Sequence, residues 1–152
     1  YSIYEQDNWF SRVSYLSLHK IRNRSSIGHQ HQVLMEVFLG PAPETDKAVW
    51  ALVSDYLRKN PKTLYLRHPR DEENRFDFLQ RLHTKLIVED YVIEQIQETG
   101  TNFTVTGTES SALINLSTMP NVRTQSILPN RPEFREAREL MSKLGVHLIH
   151  QD

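Results

Sequence analysis

Short apolar runs alternate with amphipathic helical patterns from Val33 onward, and this alternation constrains the fold more than any other feature of the sequence. Strands are predicted at 33–39, 63–67, 102–106, 122–128 and 146–149, with a brief further strand at 85–88. Helices are predicted after an N-cap at Thr45, at 89–98, at 112–116 and from Pro132 to Gly145. The buried face of the last helix is expected to include Phe134, Leu140 and Met141. Such alternation is typical of an α/β protein with a doubly wound, mainly parallel, Rossmann-like sheet.

Size and composition narrow the class of protein further. A chain of 152 residues is long enough for one domain with a sizeable core. A net charge of −1 with dispersed signs argues against nucleic acid as a partner. The absence of cysteine removes disulfides, thiolate metal sites and a cysteine nucleophile. Neither a membrane span nor a signal peptide is expected, and the start at Tyr1 suggests a piece of a longer protein.

The first 32 residues are the least regular part of the chain. We interpret 1–32 as a lead-in or linker with a short strand near 13–18 and a polar loop, and 33–152 as the folded domain. His29 and His31 have the spacing of a metal-binding pair. No carboxylate or thiol partner lies nearby in the sequence, so a solvated loop is the favoured interpretation.

Polar residues that could carry chemistry follow three of the predicted strands. The loops after 39, 67 and 106 contain Glu44, Asp46, His68, Arg70, Ser110 and Ser111. Because the carboxyl ends of parallel strands share one edge of the sheet, we expect these loops to open together. His68 could donate a hydrogen bond to a phosphate oxygen, and Arg70 could grip the same group. A strand-ending His-Pro is also common without any function.

Two helix starts carry residues with more than one interpretation. Ser110 and Ser111 precede an apolar helix, where hydroxyl and backbone N–H groups could bind an anion, or where Ser110 could act only as an N-cap. Glu89 and Asp90 open the helix at 89–98. Two acids in a first turn favour the helix dipole, and the residues by themselves indicate nothing more.

Five ordered segments resemble the carboxy-terminal domain of glycosyltransferase family 52, the bacterial lipooligosaccharide sialyltransferases. The resemblance covers roughly residues 13–152. Its segments are Leu39-Gly40-Pro41 with Asp46-Lys47, His68-Pro69-Arg70, the run from Ile87 to Ile93, Ser110-Ser111-Ala112-Leu113, and Pro120-Asn121-Val122.

The resemblance implies the carboxy-terminal lobe of a two-lobed, GT-B type enzyme that binds the donor CMP-sialic acid. The acceptor would be a glycolipid or oligosaccharide, and the setting would be the bacterial cytoplasm or the cytoplasmic face of the inner membrane. Peripheral membrane association and a homodimer are left open. Most of the amino-terminal lobe, with its Asp-Asp-Gly type motif, has no counterpart in this sequence. Whether the fragment is active by itself therefore stays open.

The resemblance assigns the roles of the family's functional residues to the matching positions of this sequence. His68 would donate to the departing CMP phosphate, Asp46 would be the general base, Ser110 would hold the phosphate, and Glu89 would accept hydrogen bonds from the ribose hydroxyls. Gly40, Arg70 and Ser111 complete the expected nucleotide site. The turn from Gly40 to Asp46 is longer than expected for the family, which leaves Glu44 as an alternative base.

No cofactor is expected, and no divalent metal is required if His68, Arg70, Ser110 and the helix terminus together neutralise the phosphate. The sequence contains no Asp-x-Asp metal motif. Two alternatives stay open. One is a transferase for another nonulosonic or capsular activated sugar. The other is a non-catalytic α/β nucleotide-binding or regulatory module of response-regulator type, which would need a phosphoacceptor aspartate at a strand end.

Overall fold

The computed structural model describes residues 33–73 and 75–149. The predicted lead-in at 1–32, its strand near 13–18 and the His29 and His31 pair all lie outside these residues. Within the described ranges, none of the helices combines the length and the apolar character that crossing a bilayer would demand.

Five strands and four α-helices alternate along the described part of the chain. The strands are β1 (Leu34–Leu39), β2 (Leu64–Leu66), β3 (Asn102–Gly107), β4 (Val122–Ser126) and β5 (His147–Leu148). The helices are α1 (Lys47–Lys59), α2 (Val88–Thr99), α3 (Ser111–Ser117) and α4 (Arg135–Lys143), with a 3₁₀ turn at Pro132–Phe134 directly before α4.

The strands form one sheet in the order β2-β1-β3-β4-β5, and every neighbouring pair is parallel. This confirms the predicted α/β, Rossmann-like fold. The chain moves outward from β1 to β2 and then returns to β3 on the other side of β1. That reversal creates a topological switch point between β1 and β3, where loops at the carboxyl edge diverge and ligands of open α/β sheets bind.

Two hydrophobic layers cover the sheet. Helix α1 buries Val49, Val53 and Leu57, one residue per turn, against Phe38 and Tyr65 on one face. The opposite face packs against the inward sides of α2, α3 and α4, through residues that include Val92, Leu113 and Met141. The two layers fix the strands, so the loops at the carboxyl edge project from a rigid base.

The C-terminal ends of α2 and α4 lie at the glycines predicted from the sequence, whereas the N-cap of α1 lies one residue later than predicted. Gly100 ends α2 with φ of 70°, and Gly145 follows α4 with φ of 82°, both in the left-handed region that glycine tolerates. The N-cap of α1 is Asp46 and not Thr45, because the Asp46 carboxylate reaches the Ala48 N–H at 2.7 Å.

Two sequence-based expectations about packing are wrong. Residues 85–88 form no strand, since Val88 already belongs to α2 and is buried there; instead, Arg81 makes an isolated parallel bridge to Tyr65 at the edge of β2. Leu140 was expected on the buried face of the last helix but is 53% exposed. The inward face of α4 is centred on Met141, and Leu140 lies about 100° around the helix from it, toward solvent.

Candidate active site

A cleft of about 430 Å³ opens at the carboxyl edge of the sheet, where the switch point lies. The loops that follow β1, β2, β3 and β4 all contribute to its wall. Its lining includes Gly40, Asp46, His68, Thr108, Glu109, Ser110, Ser111, Leu128 and Phe134. The prediction that the first three of these loops open on one edge is therefore confirmed.

The cleft brings together five of the residues singled out from the sequence: Gly40, Asp46, His68, Ser110 and Ser111. Its lining does not include the other three, Glu44, Arg70 and Glu89. Residues separated by up to 71 positions in the sequence thus meet in one cavity.

Asp46 enters the cleft from the start of α1. Its Oδ1 accepts the Ala48 N–H at 2.7 Å, and the residue is exposed. Because this cap occupies Oδ1, the oxygen left for a second partner is Oδ2. The helix start therefore fixes the carboxylate against the cleft wall while one oxygen remains to accept a proton.

The half-buried His68 is held by the turn that Pro69 forces after β2. Its Nδ1 accepts the Arg70 N–H at 3.2 Å, and its carbonyl accepts the Asp71 N–H at 2.9 Å. Since Nδ1 is the acceptor, the neutral imidazole carries its proton on Nε2. The turn therefore presents a hydrogen-bond donor, which suits an anionic ligand.

Ser110 and Ser111 enter from the start of α3. Ser110 occupies the N-cap position, but its hydroxyl makes no capping hydrogen bond, so capping does not account for it. The Ser126 hydroxyl donates to the Thr108 carbonyl at 2.9 Å and ties this loop to β4. Helix α3 has only seven residues, so the hydroxyls of the loop, more than a helix dipole, are the groups that suit an anion here.

Glu44 and Arg70 form an ion pair with each other across the first two loops. The pKa of the Glu44 carboxyl is lowered, first by the hydrogen bond from its own backbone N–H and then by the Arg70 guanidinium. A carboxylate that is paired and less basic is a poorer proton acceptor. Of the two acids, Asp46 is therefore the more available proton acceptor, and the ion pair bridges two loops of the site.

Glu89 lies on α2, outside the cleft lining. Its Oε1 accepts the Asn115 Nδ2–H at 3.0 Å, and Asn115 lies one turn along α3 from Ser111. Helices α2 and α3 both start at the carboxyl edge of the sheet, as the connections between parallel strands require. Glu89 therefore sits on the same edge as the cleft, next to α3 and outside the lining.

Two apolar residues of the cleft were not identified from the sequence. Leu128 and Phe134 follow β4, and the Arg138 guanidinium donates to the Leu128 carbonyl at 2.9 Å to hold that loop. The edge rule that selected the first three loops applies equally to β4, so this signal was present. Leu128 and Phe134 have no polar side chain, so a search for polar residues beyond strand ends does not select them.

Gly40 is required by the close approach of Tyr65. A Cβ at position 40 would lie 2.4 Å from the Tyr65 hydroxyl oxygen and 3.2 Å from the His68 backbone nitrogen. We expect Gly40→Ala to lower the free energy of unfolding by about 1–3 kcal/mol, the usual effect of overpacking. Urea denaturation measures this loss.

A double variant tests the cause of that loss. Tyr65→Phe removes the oxygen nearest to the new methyl group, so Gly40→Ala should be less destabilising in the Tyr65→Phe background than in the wild type. An equal loss in both backgrounds would contradict the steric explanation.

In the described ranges, no group of three or more His, Asp or Glu side chains is placed to hold a metal ion.

The comparison with family models gives one match, in which the model of glycosyltransferase family 52 covers residues 1–130. The search of curated proteins found no match. The matched range contains every lining residue of the cleft named above except Phe134. The chain belongs to glycosyltransferase family 52.

Proposed function

We propose that this chain is the donor-binding lobe of a sialyltransferase, which moves sialic acid from CMP-sialic acid to a terminal sugar of a lipooligosaccharide-type acceptor. Membership of family 52 supports a glycosyltransferase activity, which uses a nucleotide-sugar donor and an acceptor. A five-stranded parallel sheet is consistent with one lobe of a GT-B enzyme. The bacterial setting, the inner-membrane location and the domain limits at 33–152 are parts of the same proposal.

The observation that carries the proposal is the meeting of a carboxylate, an imidazole and serine hydroxyls in the switch-point cleft. Asp46, His68 and Ser110 arrive there from three different loops. Transfer to an acceptor hydroxyl needs a proton acceptor on one side and hydrogen-bond donors for a leaving phosphate on the other. The cleft supplies both kinds of group.

In the proposed mechanism, Asp46 takes the proton from the acceptor hydroxyl as its oxygen attacks the anomeric carbon of sialic acid. The bond from that carbon to the CMP phosphate oxygen breaks, and the phosphate leaves with the bonding electron pair. His68 Nε2 donates to this phosphate and Ser110 adds a second donor, so charge is stabilised as it develops. Attack opposite the leaving group inverts the anomeric centre, and no step calls for a metal.

The nucleoside would extend from the cleft toward α2. Glu89 is the proposed acceptor of the ribose hydroxyls, because a carboxylate makes strong hydrogen bonds to such donors. Its Oε1 already accepts from Asn115, which leaves Oε2 for the ribose. Arg70 is proposed to reach the phosphate from the rim, where it now pairs with Glu44.

A receiver-type regulatory module is less well supported. None of the described strands β1 to β5 ends in an aspartate. Glu44, the first acid after β1, forms an ion pair with Arg70. The presence of His68 and serine hydroxyls in one cleft suits binding of a phosphate group better than transfer of a phosphoryl group to an aspartate.

Nucleotide titration tests the proposal. We expect CMP to give saturable chemical-shift changes in this chain and to bind more tightly than 2′-deoxy-CMP, because the latter lacks one ribose hydroxyl. Glu89→Ala should weaken CMP by about tenfold, the effect of a hydrogen bond to a charged group, and should abolish the discrimination between the two nucleotides.

Asp90→Ala is the matched control for that titration. Asp90 is also an acid in the first turn of α2, but it is exposed and is not proposed to touch the nucleotide. A wild-type chain that does not bind CMP, or that binds CMP and 2′-deoxy-CMP equally, would refute the nucleotide site as proposed.

A further inference from the structure

Two buried polar side chains lie beneath the His68 turn, outside the cleft. The Asp71 side chain is 1% exposed, and Tyr65 is 3% exposed. Within the described part of the chain, Asp71 Oδ2 and the Tyr65 hydroxyl are buried without a hydrogen-bond partner. Buried polar groups are almost always paired in native proteins, so two such atoms next to a functional loop require a physical reason.

Asp71 holds the turn that carries His68. Its N–H donates to the His68 carbonyl at 2.9 Å, and its Oδ1 accepts the Glu73 N–H at 3.2 Å. The Arg75 guanidinium lies 3.8 Å from Oδ1 and stacks 4.5 Å above the Trp50 ring of α1. The carboxylate thus anchors the end of the turn to the core, through only one of its two oxygens.

Tyr65 reaches the same turn from below. Its ring stacks on Phe38, with ring centres 6.3 Å apart, and packs edge-on against Phe76 at 5.2 Å. Its hydroxyl lies where the backbones of Gly40 and His68 meet, as the space beside Gly40 shows. Burial, followed by the negative charge of Asp71, raises the pKa of Tyr65 to about 12, so the hydroxyl is protonated and can donate.

We propose that Tyr65 and Asp71 are positioning residues that act on His68 from below. Asp71 holds the end of the turn through its N–H bond to the His68 carbonyl and its carboxylate bond to the Glu73 N–H. The Tyr65 hydroxyl fills the space against the Gly40 and His68 backbones. Together these contacts hold the His68 backbone against Gly40 and keep Nδ1 aligned with the Arg70 N–H. The proton of the imidazole then stays on Nε2, the nitrogen that faces a ligand.

The role in catalysis rests on the proposed function, but the effect on the imidazole does not. If the two side chains served stability only, their removal would make unfolding easier and leave the His68 tautomer unchanged in the folded chain. If they position the turn, the balance between the Nδ1–H and Nε2–H tautomers changes while the chain remains folded. The tautomer therefore separates the two roles.

The test measures the ¹⁵N chemical shifts of the His68 imidazole by NMR in the wild type, Tyr65→Phe and Asp71→Asn. We expect the wild type to hold the proton on Nε2. Each variant should weaken the bond from the Arg70 N–H to Nδ1 and so move the tautomer ratio toward that of free imidazole by roughly threefold to tenfold, the effect of one modest hydrogen bond. Tyr65→Phe removes a single oxygen atom, so it carries the test if Asp71→Asn does not fold.

Tyr56→Phe is the matched control, because the Tyr56 hydroxyl contacts the Thr106 Oγ1 at 3.4 Å on the same face of the sheet and lies apart from the turn. It should leave the His68 shifts unchanged. Unchanged shifts in a folded Tyr65→Phe chain, or a wild type without a preferred tautomer, would overturn the proposal. Failure of CMP to bind while the tautomer responds would instead count against the proposed function only.

Discussion

His68→Ala is expected to lower the rate of sialyl transfer by on the order of 10² or more, because it removes a donor aimed at a phosphate that gains negative charge in the transition state. The same variant should weaken CMP binding by about 10- to 100-fold, as expected for one hydrogen bond to a charged group. Release of CMP from CMP-sialic acid in the presence of an acceptor measures the rate, and titration of this chain with CMP measures the affinity.

Two further histidine variants show which property of the imidazole matters. His68→Gln places an amide N–H close to the position of Nε2, so it should recover part of the CMP affinity although it cannot donate a full proton. His83→Ala is the control, because His83 is exposed and does not line the cleft. Full activity in a folded His68→Ala enzyme would remove the central group from the proposed mechanism.

The sequence predicted the site loops well because their positions depend on local signals. Pro69 ends β2 and places His68 just beyond it, and the apolar spacing of Val49 and Val53 sets the direction of α1. Once the strands are parallel, the edge rule brings the loops together without any further information. Asp46, His68 and Ser110 could therefore be placed in one cleft before any coordinates were known.

The contacts that refine the site could not be read in this way. The pairs Glu44 with Arg70 and Glu89 with Asn115 each join side chains 26 positions apart, and their formation depends on how two loops or two helices pack. The approach of Tyr65 to Gly40 depends likewise on the pairing of β1 with β2. Local sequence patterns do not show which distant residues come into contact, so these interactions can be identified only from the three-dimensional structure.

The same limit explains why the sequence left the base undecided. Glu44 and Asp46 lie in one loop, and both are acids at a plausible distance before His68. The fold separates them, because Glu44 pairs with Arg70 whereas Asp46 is fixed at the start of α1 and lines the cleft. The choice between the two acids therefore rests on tertiary contacts.

Asp46→Asn tests that choice, and its expected effect on rate is the largest. An asparagine cannot take the proton of the acceptor hydroxyl, so the transfer rate should fall by about 10² to 10⁴. Asparagine caps a helix as well as aspartate does, and its Oδ1 can still accept the Ala48 N–H, so the free energy of unfolding should hardly change. CMP affinity should also remain, because Asp46 acts on the acceptor and not on the nucleotide.

Glu44→Gln provides the comparison within the same loop. It removes the charge that pairs with Arg70, and a freed guanidinium is available to the phosphate, so CMP affinity should stay equal or rise while transfer continues. If transfer instead survives in Asp46→Asn and is lost in Glu44→Gln, Glu44 is the base. In that case the loop must rearrange on donor binding, because the ion pair has to open before the carboxylate of Glu44 can accept a proton.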